Sequence, residues 1–156
     1  MKTALVIGSS GLIGSHLLNL LLESSHYDKV VTFVKRDTGI KHPKLTQHII
    51  DFDKPETYKE LVVGDDLFCT IGTTIKKAGS QNAFRKVDFE YPSKFAAFAL
   101  LNKVKHYLII SSLGADAKSG NFYLKTKGEI QDFLKDCNLE SVSVLQPSLL
   151  LGNRTE

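Results

Sequence analysis

The sequence predicts an α/β fold with a doubly wound parallel sheet, and three observations support this prediction. Short apolar segments of strand length alternate with longer segments of helical periodicity along the chain. Glycines follow the first apolar segment at a spacing of three and lead directly into a helix. Small or polar residues follow several strands, at the sheet edge where open α/β folds bind ligands. The 156 residues suffice for one core, so we expect a single domain over residues 1–156.

The first βαβ unit lies at the start of the chain. Residues 4–7 form an apolar segment of strand length, and leucines from Leu12 onward recur with helical periodicity. Residues 30–34 are rich in β-branched side chains, which indicates a second strand. A strand, a helix and a strand within about 30 residues form one βαβ unit, whose crossover is expected to be right-handed.

The later elements continue the same alternation. The pattern predicts further strands at residues 45–50, 66–71, 107–111 and 142–145, and helices at residues 56–61, 81–103 and 121–137. Pro92 is expected to kink or break the second of these helices. Residues 75–80 are predicted to be a basic, solvated loop, and residues 95–101 are apolar on nearly every face. That apolar segment indicates either burial on both sides or a subunit contact.

Gly8, Gly11 and Gly14 form a G-x-x-G-x-x-G turn between the first strand and the first helix. Glycines let a backbone approach a dinucleotide pyrophosphate, and the helix N-terminus offers free N–H groups to the anion. The usual fingerprint is G-x-G-x-x-G, so the alternative is an ordinary glycine-rich turn. The position between a strand and a helix favours dinucleotide binding.

Lys35 and Arg36 follow the second strand directly, and Arg36 lies near the offset at which this fold recognises the ribose. An acidic residue there binds the 2′-hydroxyl of NAD, whereas an arginine accommodates the 2′-phosphate of NADP. The alternative is a pair of solvated charges at the end of a strand. We therefore expect NADP(H) to be favoured over NAD(H).

Other strand ends supply further candidates for the cofactor site. Asp51 and Phe52 follow the third strand beside the expected adenine pocket, whereas Asp53 is as well explained as a cap before Pro55. The complete set of predicted cofactor-binding residues is Gly8, Ser10, Gly11, Leu12, Ile13, Gly14, Lys35, Arg36, Asp51, Phe52, Ile71, Gly72, Thr73, Ser111, Tyr123, Lys127 and Pro147.

Tyr123 and Lys127 lie four residues apart on a predicted helix and therefore share a face. Such a pair arises often by chance, and a surface pair is the alternative. Ser111 and Ser112, which end the preceding strand, strengthen the prediction. Hydride transfer to a carbonyl leaves an alkoxide that needs a proton, which a tyrosine beside an ammonium can supply. A serine hydroxyl can hold the substrate oxygen, so we predict Ser112, Tyr123 and Lys127 as catalytic residues.

Composition narrows the functional classes. A formal net charge of +3 with mixed signs does not favour nucleic-acid binding, and the apolar runs are too short to span a bilayer. The cysteine and histidine spacing predicts no metal site. Two cysteines, with no signal peptide expected before the first strand, indicate reduced thiols and a cytoplasmic protein. We expect a small-molecule substrate.

The chain resembles the short-chain dehydrogenase/reductase superfamily in G-S-S-G-L-I-G at residues 8–14, S-S-L-G at 111–114 and Y-L-K-T-K at 123–127. It is most similar to the atypical, epimerase/dehydratase-like branch that includes Tat-interacting oxidoreductase-like proteins. The segments that carry this closer resemblance are G-T-T-I-K-K-A-G-S at 72–80, V-D-F-E-Y at 87–91, H-Y-L-I-I-S-S-L-G-A-D at 106–116, Y-L-K-T-K-G-E at 123–129 and Q-P-S-L-L-L-G-N-R at 146–154.

The resemblance implies a Rossmann-like NAD(P)-binding domain with three αβα layers and a bound NADP(H). It implies Tyr123 as the acid/base, Lys127 as its partner and Ser112 as the substrate-orienting hydroxyl, with Ser111 as the alternative. It also implies that Pro147 lies near the nicotinamide. Many members carry an asparagine in the helix before the fifth strand, where this chain offers Asp88.

Members of the superfamily usually continue for some 50 residues or more past the strand that precedes the proline, in segments that build the substrate pocket. We therefore expect either a fragment of a longer protein or gene, or a domain that lacks this C-terminal segment. Two functions follow from the resemblance. The first is an NADP(H)-dependent oxidoreductase acting on a carbonyl or an alcohol. The second is an NADP(H)-binding regulatory or scaffold protein without turnover, and a homodimer or a protein partner fits either.

Overall fold

A computed structural model describes residues 1–152 as one six-stranded parallel sheet with helices on both faces. The strands are β1 (Thr3–Ile7), β2 (Lys29–Val34), β3 (Leu45–Ile49), β4 (Asp66–Cys69), β5 (His106–Ile110) and β6 (Ser141–Leu145). Their order in the sheet is β3-β2-β1-β4-β5-β6, and every neighbouring pair is parallel. This topology confirms the predicted doubly wound sheet. The predicted Q-P-S-L-L-L-G-N-R segment ends at Arg154, outside the described residues.

The helical elements are α1 (Leu12–Glu23), α2 (Ile75–Ala78), α3 (Gln81–Arg85), a π-helical segment (Lys86–Glu90), α4 (Tyr91–Leu101) and α5 (Phe122–Asp136). Two 3₁₀ turns, Pro55–Thr57 and Lys59–Leu61, take the place of the short helix predicted between β3 and β4. Within residues 1–152, no helix is long and apolar enough to cross a membrane.

The sheet separates two hydrophobic layers. On one face α1 packs against alternate residues of β1 and β2, such as Val6 and Val30, which are fully buried. On the other face α4 and α5 bury Phe95 and Ile130 against Leu5 and the facing side chains of the sheet. Successive strand residues point to opposite faces, so both layers draw on the same strands.

The region between β4 and β5 differs most from the prediction. Residues 75–78 are a helical turn rather than a loop, because the Thr74 hydroxyl accepts a hydrogen bond from the Lys77 N–H at 3.1 Å. The long helix predicted at residues 81–103 changes from α-helical to π-helical geometry at Lys86 and returns to α-helical geometry at Tyr91, one residue before Pro92. The π-helical segment precedes Pro92, which lies in the first turn of α4, where its missing N–H costs little.

One face of α4 is buried and the other is exposed, so residues 95–101 are not buried on both sides, and a subunit contact at this helix stays a prediction. Phe95, Ala96 and Ala99 are fully buried in the core, whereas Leu100 and Leu101 are 44% and 68% exposed. The helix therefore packs as an ordinary outer helix of the sheet.

The turn between β1 and α1 depends on glycine at two positions. A Cβ at Gly14 would lie 1.9 Å from the Gly8 carbonyl oxygen, and Gly8 itself has a φ of +85°. A Cβ at Gly8 would also lie 2.5 Å from the backbone nitrogen of Ile71. The turn thus packs backbone against backbone, which fixes the start of α1 against the end of β4.

We expect Gly14→Ala to lower the free energy of unfolding by about 3 kcal/mol or more, because the new methyl group meets a backbone carbonyl that cannot move away. Urea titration followed by circular dichroism measures this loss. The control is Gly120→Ala, where a Cβ meets nothing within 4 Å. Equal stability of the two variants would contradict the close packing of this turn.

Candidate functional site

The N-terminus of α1 presents unsatisfied backbone N–H groups at the carboxyl edge of the sheet. The cap of α1 is Gly11, which provides no side-chain hydrogen bond, and no acidic residue lies in the first turn. The N–H groups of Leu12, Ile13 and Gly14 therefore lack intrahelical partners and carry the positive end of the helix dipole. This arrangement suits a phosphate or pyrophosphate group.

Gly11 differs from the other two glycines of the turn. A Cβ at Gly11 would approach the Gly8 carbonyl oxygen only to 3.5 Å, an ordinary contact. Its φ of −76° is also open to any residue. Packing within the chain therefore does not require glycine here, whereas a ligand that approaches the backbone closely does.

Ser9 adds a second indication of a ligand at this turn. Its side chain is buried, and its hydroxyl has no hydrogen-bond partner among residues 1–152. Buried hydroxyl groups are rarely left unsatisfied. With the open N–H groups of α1, the orphaned hydroxyl fits a polar ligand such as a dinucleotide.

The residues after β2 and β3 are divided between solvent and core. Lys35 and Arg36 are exposed, and neither has an ion-pair or hydrogen-bond partner within the described residues. Asp51 is exposed as well. Phe52 is 6% exposed and packs against the rings of Tyr91 and other core aromatic residues, so only its backbone remains for contact with an adenine. Asp53 instead accepts a hydrogen bond from the Tyr91 hydroxyl at 2.8 Å.

The loop after β4 connects the glycine turn to the helices on the other face. The Thr70 hydroxyl donates to the carbonyls of Ile7 and Gly8 at 2.9 and 3.0 Å. Three residues further on, the Thr73 N–H donates to Asp88 Oδ2 at 3.1 Å. The predicted residues Ile71, Gly72 and Thr73 therefore lie between the start of α1 and the π-helical segment.

The two serines after β5 have different environments. Ser111 is buried, and its hydroxyl donates to Gln131 Oε1 of α5 at 2.6 Å. Ser112 is partly exposed, and its hydroxyl makes only a 3.3 Å contact with the Leu113 carbonyl. The Pro147 carbonyl accepts from the Leu113 N–H at 3.0 Å, so Pro147 lies beside this turn. Ser112 is the serine whose hydroxyl is available to a ligand.

Tyr123 and Lys127 lie on one face of α5, as predicted. The Lys127 Nζ lies 5.7 Å from the centre of the Tyr123 ring, and the lysine side chain is only 8% exposed. The Tyr123 hydroxyl has no hydrogen-bond partner among residues 1–152, and its ring packs against Phe84. The lysine is thus fixed within the protein, whereas the phenol remains available to a ligand.

Asp88 is the partner of Lys127. Its Oδ1 lies 2.6 Å from the Lys127 Nζ, and its side chain is fully buried. Burial raises the pKa of this carboxyl group, and the neighbouring ammonium opposes that rise. From the sequence, Asp88 is visible only as a departure from the superfamily's asparagine. The available signal was a carboxylate between two apolar residues, Val87 and Phe89, of a predicted helix.

Two other features bear on the chemistry of the chain. Cys69 and Cys137 are both free thiols, and burial raises the pKa of Cys69 to about 11, so that thiol is protonated at neutral pH.

A cavity of about 380 Å³ lies between α1 and strands β4–β6, with apolar lining residues such as Leu17, Phe68 and Leu108. Such a lining does not suit a pyrophosphate.

Comparison with known proteins identifies relatives of the whole chain. "Protein HTATIP2" of Rattus norvegicus is 33% identical over 99% of this chain and 65% of its own length. "Protein FMP52, mitochondrial" of Coccidioides immitis is 32% identical over 100% of this chain and 69% of its own length. A protein of the same name in Candida albicans is 29% identical over 97% of this chain and 68% of its own length. The chain spans about two thirds of the length of these relatives.

The names of the fungal relatives describe mitochondrial proteins, which contradicts the predicted cytoplasmic location. That prediction was wrong because free cysteines indicate reducing surroundings but do not distinguish one reducing compartment from another.

Solved structures share the fold at low sequence identity. The Bordetella bronchiseptica enzyme WbmH in complex with NAD⁺ matches with a TM-score of 0.76 and 22% identity, over 94% of this chain and 56% of that one. The UDP-Glc/GlcNAc 4-epimerase of Campylobacter jejuni matches with a TM-score of 0.80 and 15% identity, over 94% and 53% of the two chains.

The family model described as NAD(P)H-binding matches residues 8–154, nearly the whole chain. This match begins at the first glycine of the turn and includes every element from α1 to β6. The chain therefore belongs to the NAD(P)H-binding family, and it shares its Rossmann-like fold with the NAD⁺ complex of WbmH and with the 4-epimerase.

Proposed function

We propose that the chain is an NADP(H)-dependent oxidoreductase that transfers a hydride between the cofactor and a carbonyl or alcohol substrate. The observation that carries the proposal is the pair on α5. A buried ammonium, that of Lys127, lies 5.7 Å from the ring of Tyr123, whose hydroxyl is unengaged within residues 1–152. A domain that only bound a nucleotide would have no need of such a pair.

The residues around the glycine turn fit the cofactor. The free N–H groups of Leu12, Ile13 and Gly14 would hold the pyrophosphate, and Gly11 would give it room. The exposed guanidinium of Arg36 would pair with the 2′-phosphate, since arginine binds phosphate through two parallel hydrogen bonds. The unpaired hydroxyl of Ser9 supports a polar ligand at the same turn.

The chemistry would follow from the positions of three side chains. When bound, the nicotinamide supplies or accepts the hydride. The Ser112 hydroxyl would donate a hydrogen bond to the substrate oxygen and fix its position. The Tyr123 hydroxyl would give a proton to that oxygen during reduction and take it back during oxidation. The Lys127 ammonium, 5.7 Å from the centre of the Tyr123 ring, would place a positive charge beside the reacting groups.

A regulatory protein that binds NADP(H) without turnover is the second candidate. The observation in its favour is the open surroundings of Ser112, since the adjacent Leu113 is 61% exposed. Electrostatic interactions in an open site are weakened by water.

We expect Gly11→Ala to raise the dissociation constant for NADPH about tenfold, which corresponds to about 1.4 kcal/mol. The added methyl group occupies the space that the pyrophosphate needs, while the fold tolerates it at 3.5 Å from the nearest backbone oxygen. Calorimetric titration measures the affinity, and urea titration checks the fold. Unchanged affinity in a folded variant would contradict a cofactor at this turn.

We expect the wild-type chain to bind NADPH more tightly than NADH. Arg36→Ala should lower NADPH affinity about 10- to 100-fold and leave NADH affinity nearly unchanged, because only NADPH carries the 2′-phosphate. Parallel titrations with both cofactors measure the difference. The matched control is Lys41→Ala, which removes one exposed positive charge from the following loop. Equal affinities of the wild-type chain for the two cofactors would exclude the role of Arg36.

We expect Tyr123→Phe to bind NADPH within about threefold of the wild type but to lose turnover by about 10²- to 10⁴-fold, the contribution of a general acid or base. Turnover is followed by NADPH absorbance against a panel of aldehydes, ketones and secondary alcohols.

The adjacent serines provide the matched pair for this measurement. Ser112→Ala should lower turnover, whereas Ser111→Ala should not, because the Ser111 hydroxyl is already bound to Gln131. The reverse result would assign the substrate oxygen to Ser111. Tight NADPH binding with no substrate in the panel would favour the regulatory candidate.

A further inference from the structure

The π-helical segment carries a carboxylate into the core. Phe84, Tyr91 and Phe95 are buried along the same helical region, and Asp88 is buried with them at 1% exposure. An ionised carboxyl group in such surroundings pays a desolvation cost of several kcal/mol unless it is paired. A side chain that only filled space in the core at this position would be apolar.

Two contacts from different elements compensate the buried carboxylate. Oδ1 lies 2.6 Å from the Lys127 Nζ on α5, and Oδ2 accepts the Thr73 N–H of the loop after β4 at 3.1 Å. Gly72 lies against the same pair, since a Cβ there would be 3.4 Å from Asp88 Oδ1 and 3.8 Å from the Lys127 Nζ. One carboxylate therefore connects the π-helical segment, the β4 loop and α5.

Stability does not explain this pair. Buried ion pairs are often no better for stability than well-packed apolar residues, although removing one partner is costly. The chain also has a more exposed pair between the same helical regions, Arg85 with Glu129, whose side chains are 35% and 26% exposed. That second pair shows that these elements can be joined without burying a charge completely.

The π-helical geometry supports a specific role. A π-helical segment inserts one residue into the helical repeat and is frequent at functional sites. Here the segment spans Lys86–Glu90, with Asp88 at its centre. From this position the Asp88 carboxylate reaches Lys127, while α4 continues and packs its own side chains into the core.

We propose that Asp88 is a positioning residue that holds Lys127 beside Tyr123 and ties it to the main chain of the β4 loop. This inference rests on the proposed function, since its consequence is for hydride transfer. This role needs no contact between Asp88 and the substrate or the cofactor. It acts through the ammonium, which has few conformations available while one side is bound to a buried carboxylate. The lysine is thereby placed before any ligand arrives.

Asp88→Asn is the most direct test, because the amide keeps the shape and an acceptor for the Thr73 N–H but removes the charge. The matched control is Glu129→Gln, which neutralises the other carboxylate between these elements without touching Lys127. The first readout is the rate at which acetic anhydride labels Lys127 relative to Lys135, measured by peptide mass spectrometry. Lys135 lies on the same helix and is exposed, and it is not the partner of Glu129, whereas Lys125 lies 4.0 Å from that carboxylate.

We expect labelling of Lys127 relative to Lys135 to rise at least about tenfold in Asp88→Asn, because the ammonium loses its buried ion-pair partner. Glu129→Gln should leave the ratio unchanged. In the second readout, Asp88→Asn should lower kcat about tenfold or more while the substrate KM stays within about threefold, because misplacing a catalytic group affects the transition state selectively. Asp88→Glu, which keeps the charge, should recover part of kcat.

The outcomes separate this inference from the proposed function. Unchanged Lys127 labelling in folded Asp88→Asn, or raised labelling with unchanged kcat, overturns the role of Asp88. A wild-type chain that binds no NADPH overturns the proposed function instead. If Asp88→Asn does not fold, the double variant Asp88→Asn with Lys127→Met removes both charges and should fold. Failure of the double variant as well would show a packing role and overturn the inference.

Discussion

The close backbone approach at the turn between β1 and α1 is the constraint on which the rest of the site depends. The Gly8 carbonyl oxygen accepts from the Gly11 N–H at 3.1 Å and from the Thr70 hydroxyl at 3.0 Å, and it leaves no room for a Cβ at Gly14. The oxygen of the turn is thus satisfied inside the protein. The N–H groups that begin α1 remain free at the edge of the sheet, where an anion can reach them.

The same approach also determines where the other parts of the site lie. Thr70 follows β4 directly, so the hydrogen bond that closes the glycine turn fixes the beginning of the β4 loop. Thr73 of that loop is bound to Asp88, and Asp88 is bound to Lys127. These contacts connect the glycine turn to α5. Near the turn they involve backbone carbonyl groups, and near α5 they involve the buried charges of Asp88 and Lys127.

Much of this arrangement could be predicted from local sequence patterns. The glycine spacing, the apolar strands and the four-residue spacing of Tyr123 and Lys127 are each visible within a short window, and the structure has all of them. The helical turn α2 could also have been found. Thr74 and Ser80 cap α2 and α3 through their hydroxyl groups, a signal that the lysines between them obscured.

What could not be predicted depends on contacts between distant segments. Over five residues, a π-helical segment and an α-helix have the same apolar pattern in the sequence. Here the π-helical segment contains Asp88, whose partner Lys127 lies on the distant helix α5. The environments of Phe52 and Ser111 are a similar case. Both follow strands at the edge where ligands bind, but Phe52 belongs to the core and Ser111 to α5. Residues after a strand point to either face, and only packing decides which.

The two ends of the site rest on different physical interactions, and this bears on how the two candidate functions are related. Binding at the turn uses backbone N–H groups, which are preserved as long as Gly8 and Gly14 allow the close approach. The proposed proton transfer would use Tyr123 and Lys127, whose buried charge is paired with Asp88. Losing Tyr123, Lys127 or Asp88 would leave the N–H groups of the turn intact. A nucleotide-binding protein without turnover would therefore differ from the proposed enzyme by one small change, and the Asp88–Lys127 pair favours the enzyme.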